Sequence, residues 1–235
     1  MEANRLTKSQ VKWVRSLQNK KVRDELGLFV AEGEKCVNDL KGTFRLELLV
    51  TPENATQTEI EQMSSLRTPQ GVIGVFHKEN HSVSEWDNGI ESSGLAVALD
   101  GVQDPGNMGT ILRTCDWFGV RRVYCSQDTV DCFNPKVVQA TMGALARVRV
   151  QYVDMEVWLG EQKEAGRDIY GMLLDGRDMY EAGAMGSNDK AIIVMGNEGN
   201  GLSAAVRKIV TRPLYIPPYP RDAKTSESLS VSVAT

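Results

Sequence analysis

Residues 95–99, Leu-Ala-Val-Ala-Leu, form an apolar run without alternation. A strand with one wet face alternates polar and apolar residues, whereas a strand covered on both faces does not. The run leads into the turn residues Asp100-Gly101, then a helical stretch over Thr110–Phe118 and a second apolar run, Arg122–Cys125. Strand, crossover helix and strand in that order make a βαβ unit. This half of the chain is therefore committed to a parallel α/β sheet. Hydrophobic periodicity predicts further helices near 134–146, 155–165 and 201–209, and strands near 148–153, 169–174, 191–195 and 213–216.

The chain ahead of this run reads differently. One helix is expected over 5–22, with Leu6, Val11, Trp13, Val14 and Leu17 on its apolar side and Thr7 or Ser9 as its cap. Short strands at 28–31, 46–50 and 72–76 alternate with helices at 32–40 and 59–65, which makes a small α/β unit. Residues 78–93 are polar and aperiodic and are expected to be a linker. The organisation predicted is a first domain over 1–77, the linker, and a second domain over 94–235.

Composition sets the broad class. With 41% apolar and 25% charged residues the 235-residue chain is an ordinary globular sequence. No apolar run approaches the roughly 18 residues of a membrane span, and the polar start MEANRLTKSQ is not a signal peptide. Cys36, Cys115, Cys125 and Cys132 form no C-x-x-C pair and are expected to be reduced thiols of a cytoplasmic protein. His77 and His81 have the i, i+4 spacing of a metal pair, but no acidic or cysteine set accompanies them, so no metal is expected. The net charge of −4 is unevenly spread. Residues 1–23 carry Arg5, Lys8, Lys12, Arg15, Lys20, Lys21 and Arg23 against Glu2, a local +6, so the remainder carries −4 − 6 = −10. Phosphate contacts need local rather than global positive charge, so this segment is either an RNA-binding face or a solvated helix.

Three segments, each following an expected strand, carry unusual chemistry. Ligands of open α/β sheets bind beyond the carboxyl ends of the strands, so the three point to one site. The first is Asp104-Pro105-Gly106-Asn107-Met108-Gly109-Thr110-Ile111-Leu112-Arg113, in which Asn107 is a candidate helix cap and Arg113 a candidate phosphate or carboxylate ligand. The second is Gly196-Asn197-Glu198-Gly199-Asn200-Gly201-Leu202-Ser203. Its glycine spacing fits neither the phosphate-binding loop of nucleotide hydrolases nor the dinucleotide fingerprint, which disfavours a dehydrogenase. The third runs from Ile216-Pro217-Pro218 to Glu227-Ser228-Leu229-Ser230-Val231-Ser232-Val233-Ala234-Thr235, with Ser226 or Ser228 as an expected helix cap. Taken singly, each also reads as a plain turn or a packing helix. Trp13 and Trp117 are expected in the core, and Tyr215 and Tyr219 either pack or stack on a base.

Together, in this order, the three segments resemble the ordered motifs of SpoU-type RNA 2′-O-ribose methyltransferases of the SPOUT class. The stretch from Leu17 through Lys21 and Arg23 to Phe29-Val30-Ala31-Glu32-Gly33 resembles the small substrate-binding domain that many members carry. The resemblance implies an α/β fold with a parallel sheet whose C-terminal chain is threaded as a trefoil knot, preceded by a small α/β RNA-binding domain. It implies S-adenosylmethionine as cofactor, held largely by backbone at Gly196, Ile216 and Leu229. It assigns catalytic roles to Arg113, Asn107, Glu198 and Ser228, and RNA contacts to Lys12, Lys20, Lys21 and Arg23. The family's arginine is often given the part of a base, but a guanidinium with a pKa above about 12 is better suited to gripping phosphate and stabilising a developing alkoxide. A homodimer with its site at the subunit interface is implied, acting on ribosomal RNA in preference to transfer RNA. Two departures stand out. Ser230 occupies the place of the family's asparagine, and the chain stops at Thr235 where relatives continue a helix. These motivate an alternative, a non-catalytic RNA-binding protein on the same fold.

Overall fold

The computed structural model describes residues 5–78, 94–181, 183, 190–220 and 229–235. In chain order its elements are α1 (Lys8–Ser16), α2 (Lys20–Leu26), β1 (Leu28–Glu32), α3 (Glu34–Lys41), β2 (Leu46–Val50), α4 (Gln57–Met63), β3 (Ile73–His77), β4 (Ala96–Asp100) and α5 (Pro105–Trp117). They continue with β5 (Arg122–Cys125), α6 (Pro135–Thr141), β6 (Arg149–Tyr152), α7 (Met155–Glu164), β7 (Asp168–Asp178), β8 (Ala191–Gly196), α8 (Ala204–Ile209), β9 (Arg212–Tyr215) and α9 (Val231–Ala234). The expected linker falls mostly on residues outside those described.

Two compact units result, Met1–His81 with Asp131–Arg147, and Ser82–Val130 with Val148–Thr235. The first is built on a three-stranded antiparallel sheet, order β1-β3-β2. Val11, Val14 and Leu17 pack with Val30, Ile60, Met63 and Val75 in its core. The single helix expected over 5–22 is two helices. Thr7 opens α1 with a capping box to Gln10, and Asn19 caps α2 by accepting from the Lys21 amide at 2.9 Å. An asparagine side chain competes with the helical ladder in this way and ends the first helix. The carbonyls freed at Leu17 and Gln18 accept from the Arg23 guanidinium at 3.0 and 2.9 Å.

Residues 131–147, which their place in the chain assigns to the second domain, are part of this first unit. Phe133 packs on Phe29 with ring centroids 4.6 Å apart, and Asp131 neutralises Arg23 at 2.6 Å. Both interactions join residues far apart in sequence, so no local pattern announces them.

The second unit carries a six-stranded sheet, order β6-β5-β4-β8-β7-β9, parallel at every pairing. Ala96, Ala98, Ile169, Ile192 and Val194 pack in its core with Tyr124, Leu159 and Val206. From β4 the chain steps to β5 and β6 on one side, whereas β8 lies against β4 on the other. The strand order therefore reverses between β4 and β8, where Asp100 pairs with Gly196. A reversal point of this kind opens a crevice at the carboxyl ends of the strands. The threading expected of the C-terminal segment would involve residues 221–228, outside the described residues. No helix among the described residues is long and apolar enough to cross a membrane.

Candidate active site

At the crevice α5 begins earlier than its sequence suggested. Asp104 is the cap, accepting from the Asn107 amide at 2.8 Å, and Pro105 takes the first helical position, where a missing N–H costs nothing. Asn107 is thus not the cap but lies in the first turn, and its side chain is free for other partners. Its Nδ2 donates to Glu198 Oε1 at 3.2 Å, and its Oδ1 accepts from Ser230 Oγ at 3.1 Å and Ser232 Oγ at 2.9 Å. One amide therefore joins all three motif segments. The hydroxyl of Ser230 still reaches Asn107, with Ser232 as a second donor.

Glu198 is a shared acceptor. Besides Asn107 it takes the amides of Gln103 at 3.3 Å and Asp104 at 3.2 Å. Burial pushes its carboxyl up, but hydrogen bonds from its own amide, Asn107, Gln103 and Asp104 outweigh this and hold it below the usual carboxylate range.

Two residues that sequence reasoning passed over shape the loops. Asn197 Oδ1 accepts from the amides of Gly199 and Asn200, its backbone exchanges two 2.9 Å bonds with Gly201, and its Nδ2 donates to the Gly101 carbonyl at 2.7 Å. An asparagine set among glycines is the sequence signature of such a turn. The buried Asp100 accepts from the Ser203 amide at 2.7 Å, tying the end of β4 to the start of α8. Ser232 had a weaker signal, its spacing of two from Ser230.

Gly196, Ile216 and Leu229 line one cavity of about 1090 Å³, together with Pro217, Pro218 and the 197–202 loop. Its lining is largely apolar, with Asn197, Asn200 and the charged Asp175, Glu198 and Arg207 among the polar residues. Gly196 has a reason of its own to be glycine, because a Cβ there would lie 2.3 Å from the Gly201 carbonyl carbon. The close approach that requires glycine is thus to its own loop.

The other candidates are placed as follows. Arg113 is exposed on α5, is not among the cavity-lining residues, and makes no hydrogen bond or ion pair among the described residues. Ser228 lies outside the described residues, as does His81. His77 bridges Arg45 at 2.9 Å and Glu47 at 2.7 Å. Trp117, expected in the core, is 85% exposed beside Phe118 at 76%. The four cysteines are buried, and burial pushes the Cys115 thiol up to about 12, so it is no nucleophile at neutral pH.

The RNA-contact set needs one correction. Arg23 is 1% exposed and bound to Asp131, so it is a core ion pair rather than a surface charge. Lys20 is exposed but pairs with Asp24 at 2.6 Å, and Lys21 lies 3.8 Å from Glu25. Lys12 is exposed on α1 with Lys8 and Arg15, at i, i+4 and i+7, and these three make no ion pair among the described residues. Charge counting along the chain cannot separate a buried arginine from an exposed one.

Comparison with known proteins places this geometry. Residues 94–235 match the SpoU rRNA Methylase family, and residues 8–88 match the MRM3-like substrate binding domain. The 23S rRNA (guanosine(2553)-2′-O)-methyltransferase RlmP of Bacillus subtilis is 28% identical over 96% of this chain and 92% of its own length. The 23S rRNA (guanosine-2′-O-)-methyltransferase RlmB of Neisseria meningitidis is 32% identical over 70% of this chain and 65% of its own. Among solved structures, a protein of Porphyromonas gingivalis assigned to the TrmH family of RNA methyltransferases superposes with a TM-score of 0.84 at 37% identity, covering 97% of this chain and 94% of that one. The AdoMet-bound rRNA methyltransferase of Sinorhizobium meliloti gives 0.83 at 28% identity, covering 100% and 94%. With the family matched over the whole second half and the three segments joined at Asn107, the chain belongs to the SpoU rRNA methylase family.

Proposed function

We propose that this chain methylates a ribose 2′-hydroxyl of ribosomal RNA with S-adenosylmethionine, as a cytoplasmic homodimer without a metal. The observation that carries the reading is the Asn107 junction beside a cavity lined by Gly196, Ile216 and Leu229. That cavity fits the cofactor. Pockets for drug-sized ligands span roughly 300–1,000 Å³ and are mainly apolar with a few fixed polar groups. Backbone from the 196–202 loop and the apolar Ile216, Pro217 and Leu229 would hold an adenosyl group here. Two curated relatives are named as methyltransferases of 23S rRNA, and a solved relative carries AdoMet.

When bound, S-adenosylmethionine supplies a methyl activated by its sulfonium, which the ribose oxygen takes as S-adenosylhomocysteine departs. The chain's own task is alignment and charge. Asn107 and Glu198 hold the loops of the crevice in one arrangement. Arg113, permanently charged, grips a neighbouring phosphate and lowers the cost of the developing alkoxide. Ser228 is proposed to contact the RNA or its loop.

The dimer is supported by the outer face of α5, where Gly106, Thr110, Arg113 and Trp117 recur at i, i+4, i+7 and i+11, all exposed. Small residues permit close approach, and two adjacent exposed aromatics are the residues interfaces favour. A second copy seated there would carry Arg113 into the shared site, which accounts for its absence from the cavity wall within one chain. Lys8, Lys12 and Arg15 offer RNA an unpaired basic stripe.

The test is transfer of labelled methyl from S-adenosylmethionine to ribosomal RNA, with mapping of 2′-O-methyl sites, alongside sedimentation of the parent and of Trp117→Glu/Phe118→Glu. Transfer to a single ribose and a dimer dissociated by the double substitution are expected. RNA binding without S-adenosylhomocysteine binding or transfer would instead identify a non-catalytic RNA-binding protein.

A further inference from the structure

The cavity wall bears three charged side chains, Glu198, Asp175 and Arg207. Glu198 is occupied by the amides and Asn107 described above. Asp175 is different. It lies in an irregular stretch of β7, where Met172 and Arg177 both pair with Leu214 of β9 and the residues between them are looped out of the ladder. Bulges of this kind re-aim side chains beside active sites. Here the bulge brings Leu174 and Asp175 to the cavity. Gly176 closes it, since a Cβ there would lie 2.5 Å from the Leu214 carbonyl carbon, so only glycine lets the two backbones meet.

Arg207 of α8 binds the Asp175 carboxylate, while both side chains remain about half exposed or more, at 48% and 66%. An exposed ion pair of this sort contributes little to stability. Its position at the cavity wall is better explained by a ligand. A carboxylate held by one guanidinium keeps lone pairs for further donors, and a vicinal diol offers two hydroxyls at matching spacing. An acidic side chain receiving ribose hydroxyls is the solution used by dinucleotide-binding folds.

We propose that Asp175 accepts the ribose hydroxyls of S-adenosylmethionine and that Arg207 is the positioning residue that holds it there. This rests on the reading that the cavity is the cofactor site. It adds a side chain that selects an intact ribonucleoside to a pocket whose other lining is largely apolar.

Calorimetry on the full chain tests it with three ligands: S-adenosylhomocysteine, its 2′,3′-dideoxy form, and 5′-methylthioadenosine, which keeps the diol but lacks the amino acid. The parent should prefer S-adenosylhomocysteine to the dideoxy form. Asp175→Asn should weaken S-adenosylhomocysteine and 5′-methylthioadenosine alike by about tenfold, the worth of hydrogen bonds to a charged group, and leave the dideoxy form unchanged. Arg207→Met should reproduce the same ligand pattern more weakly, with rescue by Arg207→Lys. The melting temperatures should stay with the parent, as the pair is exposed. If Asp175→Asn keeps the parent's preference for the diol, the proposal falls while the cofactor site stands. If only S-adenosylhomocysteine is weakened, Asp175 faces the amino-acid end and the proposal also falls. If the parent binds none of the three, the cavity reading fails and takes the proposal with it.

Discussion

The two units place their functional groups by opposite strategies. In the parallel sheet the candidate residues sit at strand ends and are knitted to one another, with Asn107, Glu198, Asn197 and Asp100 each bonded to a different segment. In the antiparallel unit the exposed Lys8 and Lys12 of α1 make no ion pair among the described residues, and Arg23, tied to Asp131, is removed from the surface by its partners. A parallel sheet brings all its carboxyl ends to one edge, so loops distant in sequence must meet there. A helix face arrayed for phosphates needs only spacing. Substitutions in the first kind of site should therefore be severe and coupled, and those in the second small and additive.

The sharpest test of this contrast lies within the antiparallel unit itself. Arg23→Ala leaves the half-buried Asp131 without its guanidinium partner and empties a buried ion-pair position, and such losses cost about 3–5 kcal/mol. Chemical denaturation should show that fall, and a variant as stable as the parent would mean that Arg23 is surface charge after all. Next in size is Arg113→Ala, expected to lower single-turnover methyl transfer by about two to three orders of magnitude while S-adenosylhomocysteine binding holds. Arg113→Lys then separates roles. Rescue that grows with pH would favour proton abstraction, and failure at every pH would favour the bidentate grip. Transfer at the parent rate by Arg113→Ala would end the assignment.

Gly196→Ala comes third. The added methyl meets the Gly201–Leu202 backbone, so the loop must shift, at about 1–3 kcal/mol for an overpacked position. Cofactor affinity should fall with it and RNA affinity should not; unchanged cofactor binding would place the pocket elsewhere. Smaller still is the effect of pH on Glu198. Its folded carboxyl is held low, so its contribution to loop order is complete above the ordinary carboxylate range and is lost as pH falls through the lowered value. Cofactor affinity should decline on acidification in the parent, and this step should be missing in Glu198→Gln. The smallest effects belong to α1, where Lys8→Gln, Lys12→Gln and Arg15→Gln should each reduce the salt slope of RNA binding by about one. Coupled rather than additive losses there would contradict the contrast.

Much of this was open to reading along the chain. The non-alternating run at 95–99 announced a buried parallel strand, because burial on both faces removes the need for polar residues. The three motif segments could be assembled in advance because loops at carboxyl ends of parallel strands must share an edge. The cap Thr7, offered together with Ser9, was visible in the same way, since a cap acts within three residues of itself. What local pattern could not supply were choices made between distant residues. Arg23 and Lys12 are alike in sequence, and only the arrival of Asp131 buries one of them. Trp117 and Trp13 sit in similar helical contexts, yet Trp13 packs against a core while Trp117 faces outward. Asn107 read as a cap because its partners Glu198, Ser230 and Ser232 lie 91 or more positions away. The bulge at Leu173–Gly176 exists only because β9 is its neighbour. Chain order sets propensity and period within a few residues, whereas charge burial, exposure and hydrogen-bond partnership are decided when remote segments compete for the same space.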